Sequence, residues 1–161
     1  MLCHIAFLIV ARKRSWYRQA MDDPLNDFPG YALRRASGAM MARLAARFAP
    51  LDVSFTEASI LMLVAANAGV SQSALCRALD IQRANMTPLA ARLEERGLIE
   101  RRPVNGRSLG LSLTPAGRTL AGKVRAQSEA HEDALLALVP AEHRQHLMPA
   151  LRALWLGPER P

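Results

Sequence analysis

Gln82, Arg83, Asn85 and Thr87 crowd into the short run QRANMT. Two carboxamides, a guanidinium and a hydroxyl at that spacing suit the edges of bases. An Arg fork matches guanine O6 and N7, and a Gln or Asn carboxamide matches adenine N6 and N7. A second run, RRPVNGR, sets Arg101, Arg102 and Arg107 around Asn105-Gly106. Ser71 and Gln72, at a candidate helix N-terminus, suit phosphate. Arg92, Arg101 and Arg102 suit the sugar-phosphate backbone. Taken singly, each of these residues also fits an ordinary solvated surface. Their arrangement separates the two readings.

That arrangement depends on the elements. Asn105-Gly106 is a turn signal, because both residues accept φ > 0. The alternation Leu109, Leu111, Leu113 reads as a strand with one buried face. The run from 101 to 113 is therefore a β-hairpin, stabilised by packing its leucines on helices, since a lone hairpin is marginal in water. A strict two-residue loop would put Ile99 opposite Ser112, on the polar face. A bulged loop placing Ile99 opposite Leu113 or Leu111 keeps it on the apolar side, and Gly106 suits the bulge.

Upstream, Ser71 is an N-cap for a helix of about eight residues, too short to stand alone. A turn near Asp80-Ile81 leads into QRANMTPLAARLEERG, with Met86, Leu89, Ala90 and Leu93 as its inner stripe and Gly97 as its stop. Pro88 requires that helix to start late, near Ala84, or to bend. Two short helices and a basic hairpin form a winged helix-turn-helix. Its second helix fits a major groove about 12 Å wide, and an Arg at the wing tip suits a narrow minor groove.

The remaining chain reads as helix. Leu33, Ser37, Met40, Leu44, Phe48 and Leu51 form one face, ending at Pro50. Thr56 is the N-cap of a buried helix with Glu57 in its first turn and Gly69 as its C′ stop. Thr114-Pro115 opens a long helix with Leu120, Val124, Gln127, His131, Leu135 and Leu138 on one face, broken at Pro140. A last helix carries Leu147, Leu151, Leu154 and Trp155. The fold class is mainly α with a small β-hairpin.

The 161 residues suffice for one domain with a core, and a half-hydrophobic composition excludes a disordered chain. The net charge is +7, nearly all of it arginine, which hints at an anionic partner but also fits an Arg-rich codon usage. Arg12, Lys13, Arg14 and Arg18 supply four of those charges, so the chain from 21 onward carries +3. The apolar run LCHIAFLIVA is too short to span a bilayer, which takes about 20 residues, and its cations follow it rather than precede it, unlike a signal peptide. Residues 1–20 read as an extension, either upstream of the native start or an added helix that packs on a partner subunit. Cys3 and Cys76 show neither metal spacing nor a disulfide framework. A cytoplasmic location without a membrane fits best, and no cofactor is implied.

The segment from SQSALCRALD through LEERGLIERR to NGRSLGLSLTPAGR resembles the MarR family of bacterial transcription regulators. The family's wing usually reads Asp-x-Arg, five residues, Leu-Thr, two residues, Gly; here Asn105, Arg107, Leu113, Thr114 and Gly117 stand in those places. The Leu-Glu-x-x-Gly-Leu tail of the recognition helix appears as Leu93, Glu94, Gly97 and Leu98. The likeness covers roughly 30–155. It implies a homodimer built from the first and last helices and a pseudo-palindromic double-stranded DNA operator. Residues 21–55 and 115–161 would form the dimerisation region, and 56–114 the DNA-binding lobe. It also implies a small aromatic or phenolic effector, here lined by Met40, Met41, Leu44 and Leu61, plus residues of the long helix that follows the hairpin. Asn105 departs from the family's Asp: it accepts a hydrogen bond but cannot form the ion pair that would hold Arg107.

Other constellations carry less. His143-x-x-His146 reads as a surface pair, His131 as a satisfied buried or interface histidine, Cys76 as inert core and the methionines of GAMMARL as packing. Cys3 lies too far ahead of Phe55 to be a redox sensor of the first family helix. No Ser-His-Asp set, phosphate loop or carboxylate pair points to an enzyme. The expectation is a ligand-responsive repressor. The rival is a dimeric interaction or ligand-binding protein of the same fold that has lost operator binding, motivated by Asn105 and the modest charge.

Overall fold

The computed structural model describes residues 23–105 and 108–157. After a 3-10 turn at Pro24–Asp27, the order is α1 Pro29–Phe48, α2 Phe55–Ala66, α3 Gln72–Leu79, α4 Arg83–Glu95, β1 Ile99–Asn105, β2 Ser108–Leu113, α5 Pro115–Leu138 and α6 Arg144–Leu156. This is the order of helices and hairpin that the sequence predicts. The chain divides into two compact units between Met40 and Met41. In the first, the Tyr31 ring receives the guanidinium of Arg34 at 5.3 Å.

In the second unit, Leu44 and Phe48 of α1 join a core built from Ile60, Leu61 and Val64 of α2, Leu75 of α3, Met86, Ala90 and Leu93 of α4, Leu111 and Leu113 of β2, and Ala121 and Val124 of α5. Each large buried apolar side chain contributes about 1.5–3 kcal/mol. Together they offset the ordering of helices that would not form alone. Helix α2 packs on both α5 and β2. His131 is buried, as the apolar face of α5 predicts. The outer positions of that face, Leu135 and Leu138, are less covered.

Four local expectations need correction. The N-cap of α2 is Ser54, not Thr56: Ser54 Oγ accepts from the Glu57 N–H, while the Glu57 carboxylate accepts from the Ser54 N–H, a reciprocal capping box. Gly69 is not the C′ residue of that helix, whose C-cap is Asn67; Gly69, at φ 80°, instead donates its N–H to the Leu111 carbonyl. Helix α4 starts at Arg83 rather than Ala84 and carries Pro88 inside it. Its end is as expected: Gly97 at φ 65° donates to Glu94 O and Leu98 N–H to Leu93 O, a Schellman closure.

The fourth correction concerns the hairpin. Ile99 pairs with Leu113, the register that keeps Ile99 buried. An irregularity lies between Pro103 and Asn105, where a residue without an N–H loses nothing from the ladder, and the bulge expected at Gly106 falls outside the described residues. Leu111 and Leu113 are buried, but Leu109 is exposed, because the helices beneath the hairpin do not reach that far toward its tip. The sequence reading also missed a third extended segment: Val70 bridges to Leu111 and ties the α2–α3 connection to the wing.

Candidate nucleic-acid interface

Helices α3 and α4 meet through a tight turn. Asp80 takes a left-handed conformation at φ 50°, and Ile81 N–H bonds back to Cys76 O. Ser71 caps α3 through its hydroxyl, 3.2 Å from the Ala74 N–H. Gln72 Nε2 donates across to Thr87 Oγ1 at 3.1 Å, and Thr87 Oγ1 donates to the Arg83 carbonyl at 3.0 Å. That relay braces α4 one position from where Pro88, lacking an N–H, removes a helical hydrogen bond. Ser71, Gln72 and Thr87 therefore have internal tasks besides any contact with nucleic acid.

The first turn of α4 is left open. Gln82 is the N-cap, yet its carboxamide makes no capping bond. Gln82, Arg83 and Asn85 are exposed, and their side chains take no part in the bonds that hold the turn. The structure thus brings these three together on one surface, as base readout requires.

The other arginines are held by carboxylates. Arg101 grips Glu94 with Nε at 2.8 Å and a second nitrogen at 3.2 Å, joining β1 to α4. Arg102 pairs with Glu100 of its own strand at 2.7 Å. Arg92 Nε lies 3.3 Å from Glu57 Oε1, and Arg96 donates to the Asp52 carbonyl at 2.7 Å. Burial pushes the Glu57 carboxyl up, but the two hydrogen bonds from Ser54 and the charges of Arg92 and Arg96 outweigh it and leave the group below its ordinary value. Composition gave no sign of Arg96 or of the Glu57 partnership. Arg107, expected at the wing tip, lies outside the described residues.

The residues expected to line an effector site lie in different settings. Leu44 and Leu61 are buried in the core, Met41 is exposed and Met40 belongs to the other unit. A cavity of about 510 Å³ opens between α2, the sheet and α5. Met62, Ala65 and Ala121 give it an apolar wall, and Arg102, Arg118 and Arg125 line it with cations. His143 and His146 are exposed, and no metal-binding cluster forms among the described residues. Nor is any single described helix long and apolar enough to cross a membrane.

A short helix bracing a second one, whose first turn presents Gln, Arg and Asn beside a basic hairpin, defines a winged helix-turn-helix module built to meet duplex DNA. The family model described as MarR family matches residues 51–108. The transcriptional repressor CouR, solved bound to a 23-mer DNA duplex, is 32% identical, with 81% of this chain and 94% of that chain covered and a TM-score of 0.73. CouR bound to p-coumaroyl-CoA gives 29% identity, coverages of 84% and 96%, and a TM-score of 0.72. The HTH-type transcriptional repressor Rv2887 of Mycobacterium tuberculosis is 29% identical over 138 residues, covering 84% of this chain and 96% of its own length. Its complex with salicylic acid aligns at 28% identity over 84% of this chain and 98% of that one, with a TM-score of 0.63. The chain belongs to the MarR family of transcriptional regulators.

Proposed function

We propose that this protein is a homodimeric, cytoplasmic repressor that binds a pseudo-palindromic operator and is released by a small aromatic acid or its thioester. It acts by binding, not by catalysis. Gln82, Arg83 and Asn85 read base edges in the major groove; Ser71 and Gln72 lie near phosphate; Arg101, Arg102 and Arg107 serve the wing. Residues 56–114 form the DNA-binding lobe, and 21–55 with 115–161 the dimerisation region. The observation that carries this reading is the open first turn of α4, where readers stand unengaged while Gln72 and Thr87 hold the helix.

The exposed apolar residues Met148, Leu151, Leu154, Trp155 and Leu156 along α6, with Leu138 at the end of α5, support the dimer, since that much exposed apolar surface calls for a cover. The ligands of CouR and Rv2887 join an aromatic ring to a negative charge, and the cavity between α2 and α5 offers an apolar wall with three cations to that chemistry.

The test is selection of duplexes from a random library, followed by titration across a salt series. The expected result is a preferred sequence with two-fold character and a steep salt slope. Arg83→Ala should cost about 1–3 kcal/mol on the preferred duplex and relax specificity at one base position. A chain that retains no duplex at low salt sinks the proposal.

A further inference from the structure

Helix α4 carries its candidate readers in its first turn and its ion pairs near its other end. Glu57, in the first turn of α2, is only 1% exposed. Its Oε2 accepts from both the N–H and the hydroxyl of Ser54, each at 2.8 Å. Its Oε1 accepts no hydrogen bond, and what faces it is the Arg92 Nε at 3.3 Å. A buried carboxylate oxygen without a donor is costly unless a cation stands against it. Arg92 is that cation. Its guanidinium also lies 3.9 Å from Asp52 Oδ1, and Arg96, one turn on, binds the Asp52 backbone carbonyl and lies 3.4 Å from Oδ2. The C-terminal half of α4 is therefore clasped at two points to the corner between α1 and α2.

From Arg92 to Arg83 the helix rises about 14 Å. On that lever a tilt of about 10° carries the first turn by roughly 2 Å, enough to break a hydrogen bond whose useful range spans about 0.5 Å. An exposed arginine beside a DNA-binding surface is ordinarily read as a phosphate contact. Arg92 instead stands against a buried carboxylate oxygen that accepts no hydrogen bond.

We infer that Arg92 is a positioning residue for base readout, acting through Glu57 rather than through a DNA phosphate. The inference rests on the DNA-reading role proposed above for the first turn of α4. Loss of the pair frees the end of α4 and blurs the placement of Gln82, Arg83 and Asn85. Specific and nonspecific duplexes then differ less, with the count of phosphate contacts unchanged.

The experiment compares wild type, Glu57→Gln, Arg92→Gln, the double variant and Arg92→Lys on the tightest duplex selected from a random library and on a scrambled one, across a salt series. Circular dichroism establishes that each variant is folded at the assay temperature. Glu57→Gln keeps the capping geometry, because Gln serves a capping box as Glu does. Either Gln variant is expected to lower the selected-to-scrambled affinity ratio about tenfold, in line with the coupling of residues in direct contact. The double variant should be no worse than the weaker single, Arg92→Lys should keep most of the ratio, and the salt slopes should match wild type. The inference is overturned if Arg92→Gln weakens both duplexes equally and lowers the salt slope by about one, while Glu57→Gln binds normally. A wild type with no preference between the two duplexes removes the base-reading role, and the inference with it.

Discussion

Glu57 shows how one residue links local structure to long-range order. It caps its own helix through Ser54 and, from the same carboxylate, holds Arg92 of the recognition helix. The hold on Arg92 needs the charged form, and the capping bonds are stronger to it. With its folded pKa depressed, the group adds stability that is fully present above its unfolded value and lost as pH falls through the lower folded one. Wild type should therefore lose stability relative to Glu57→Gln as the solution is acidified through and below the ordinary carboxylate range. Above that range the difference between the two should be flat. Urea unfolding of both proteins at a series of pH values measures it, and a difference that does not change on acidification would contradict the assignment. Asp52 meets the same two arginines, so Asp52→Asn is the companion variant in that series.

At the scale of elements, Thr114 joins the wing to α5. Its hydroxyl donates to the Gly97 carbonyl at 2.6 Å and accepts from the Gly117 N–H at 3.0 Å, so the stop of α4 and the start of α5 share one side chain. Gly117 sits against the Leu98 carbonyl so closely that a Cβ would collide with backbone. Gly117→Ala should destabilise the chain by at least about 2 kcal/mol through overpacking, even though alanine is the better helix former. Thermal unfolding checks this, and a neutral or raised Tm would refute it. Much at this scale was legible in sequence, because caps and turns are local. Ser71, Thr114 and Gly97 all follow from neighbours a few residues apart, whereas the alternation left Leu113 and Leu111 both open as partners of Ile99. Ser54 was missed in favour of Thr56, although Glu57 three residues beyond Ser54 carries the capping-box spacing. Leu109 was misjudged because alternation assigns a face but not how far the helices extend beneath it. The engagement of Arg92 and Arg101 by Glu57 and Glu94 was not legible, since those partners meet only once α2, α4 and β1 have packed.

For the whole molecule, the question is how an occupied cavity would change what the first turn of α4 does. The cavity between α2, the sheet and α5 borders both proposed regions: Arg102, Ser112 and Leu113 belong to the wing, Arg118, Ala121 and Arg125 to the long helix. A ligand there fixes one relation between wing and α5. It weakens DNA binding only to the extent that it prefers the conformation that does not bind DNA. A tenfold loss of DNA affinity needs a preference of about 1.4 kcal/mol between the two states, within the usual range of coupling energies. Arg125 is the cation to remove, because its only engagement among the described residues is an exposed pair with Glu129 four residues on, which contributes little to the fold. Arg125→Gln should bind the selected duplex as wild type does in the absence of ligand. It should require a several-fold higher concentration of salicylate to release that duplex, as expected when one charged contact to a carboxylate is lost. Anisotropy titrations of labelled duplex against salicylate measure both quantities in one series. Equal salicylate concentrations for the two proteins would place the effector elsewhere. A changed affinity without ligand would mean that Arg125 serves the DNA-binding conformation directly.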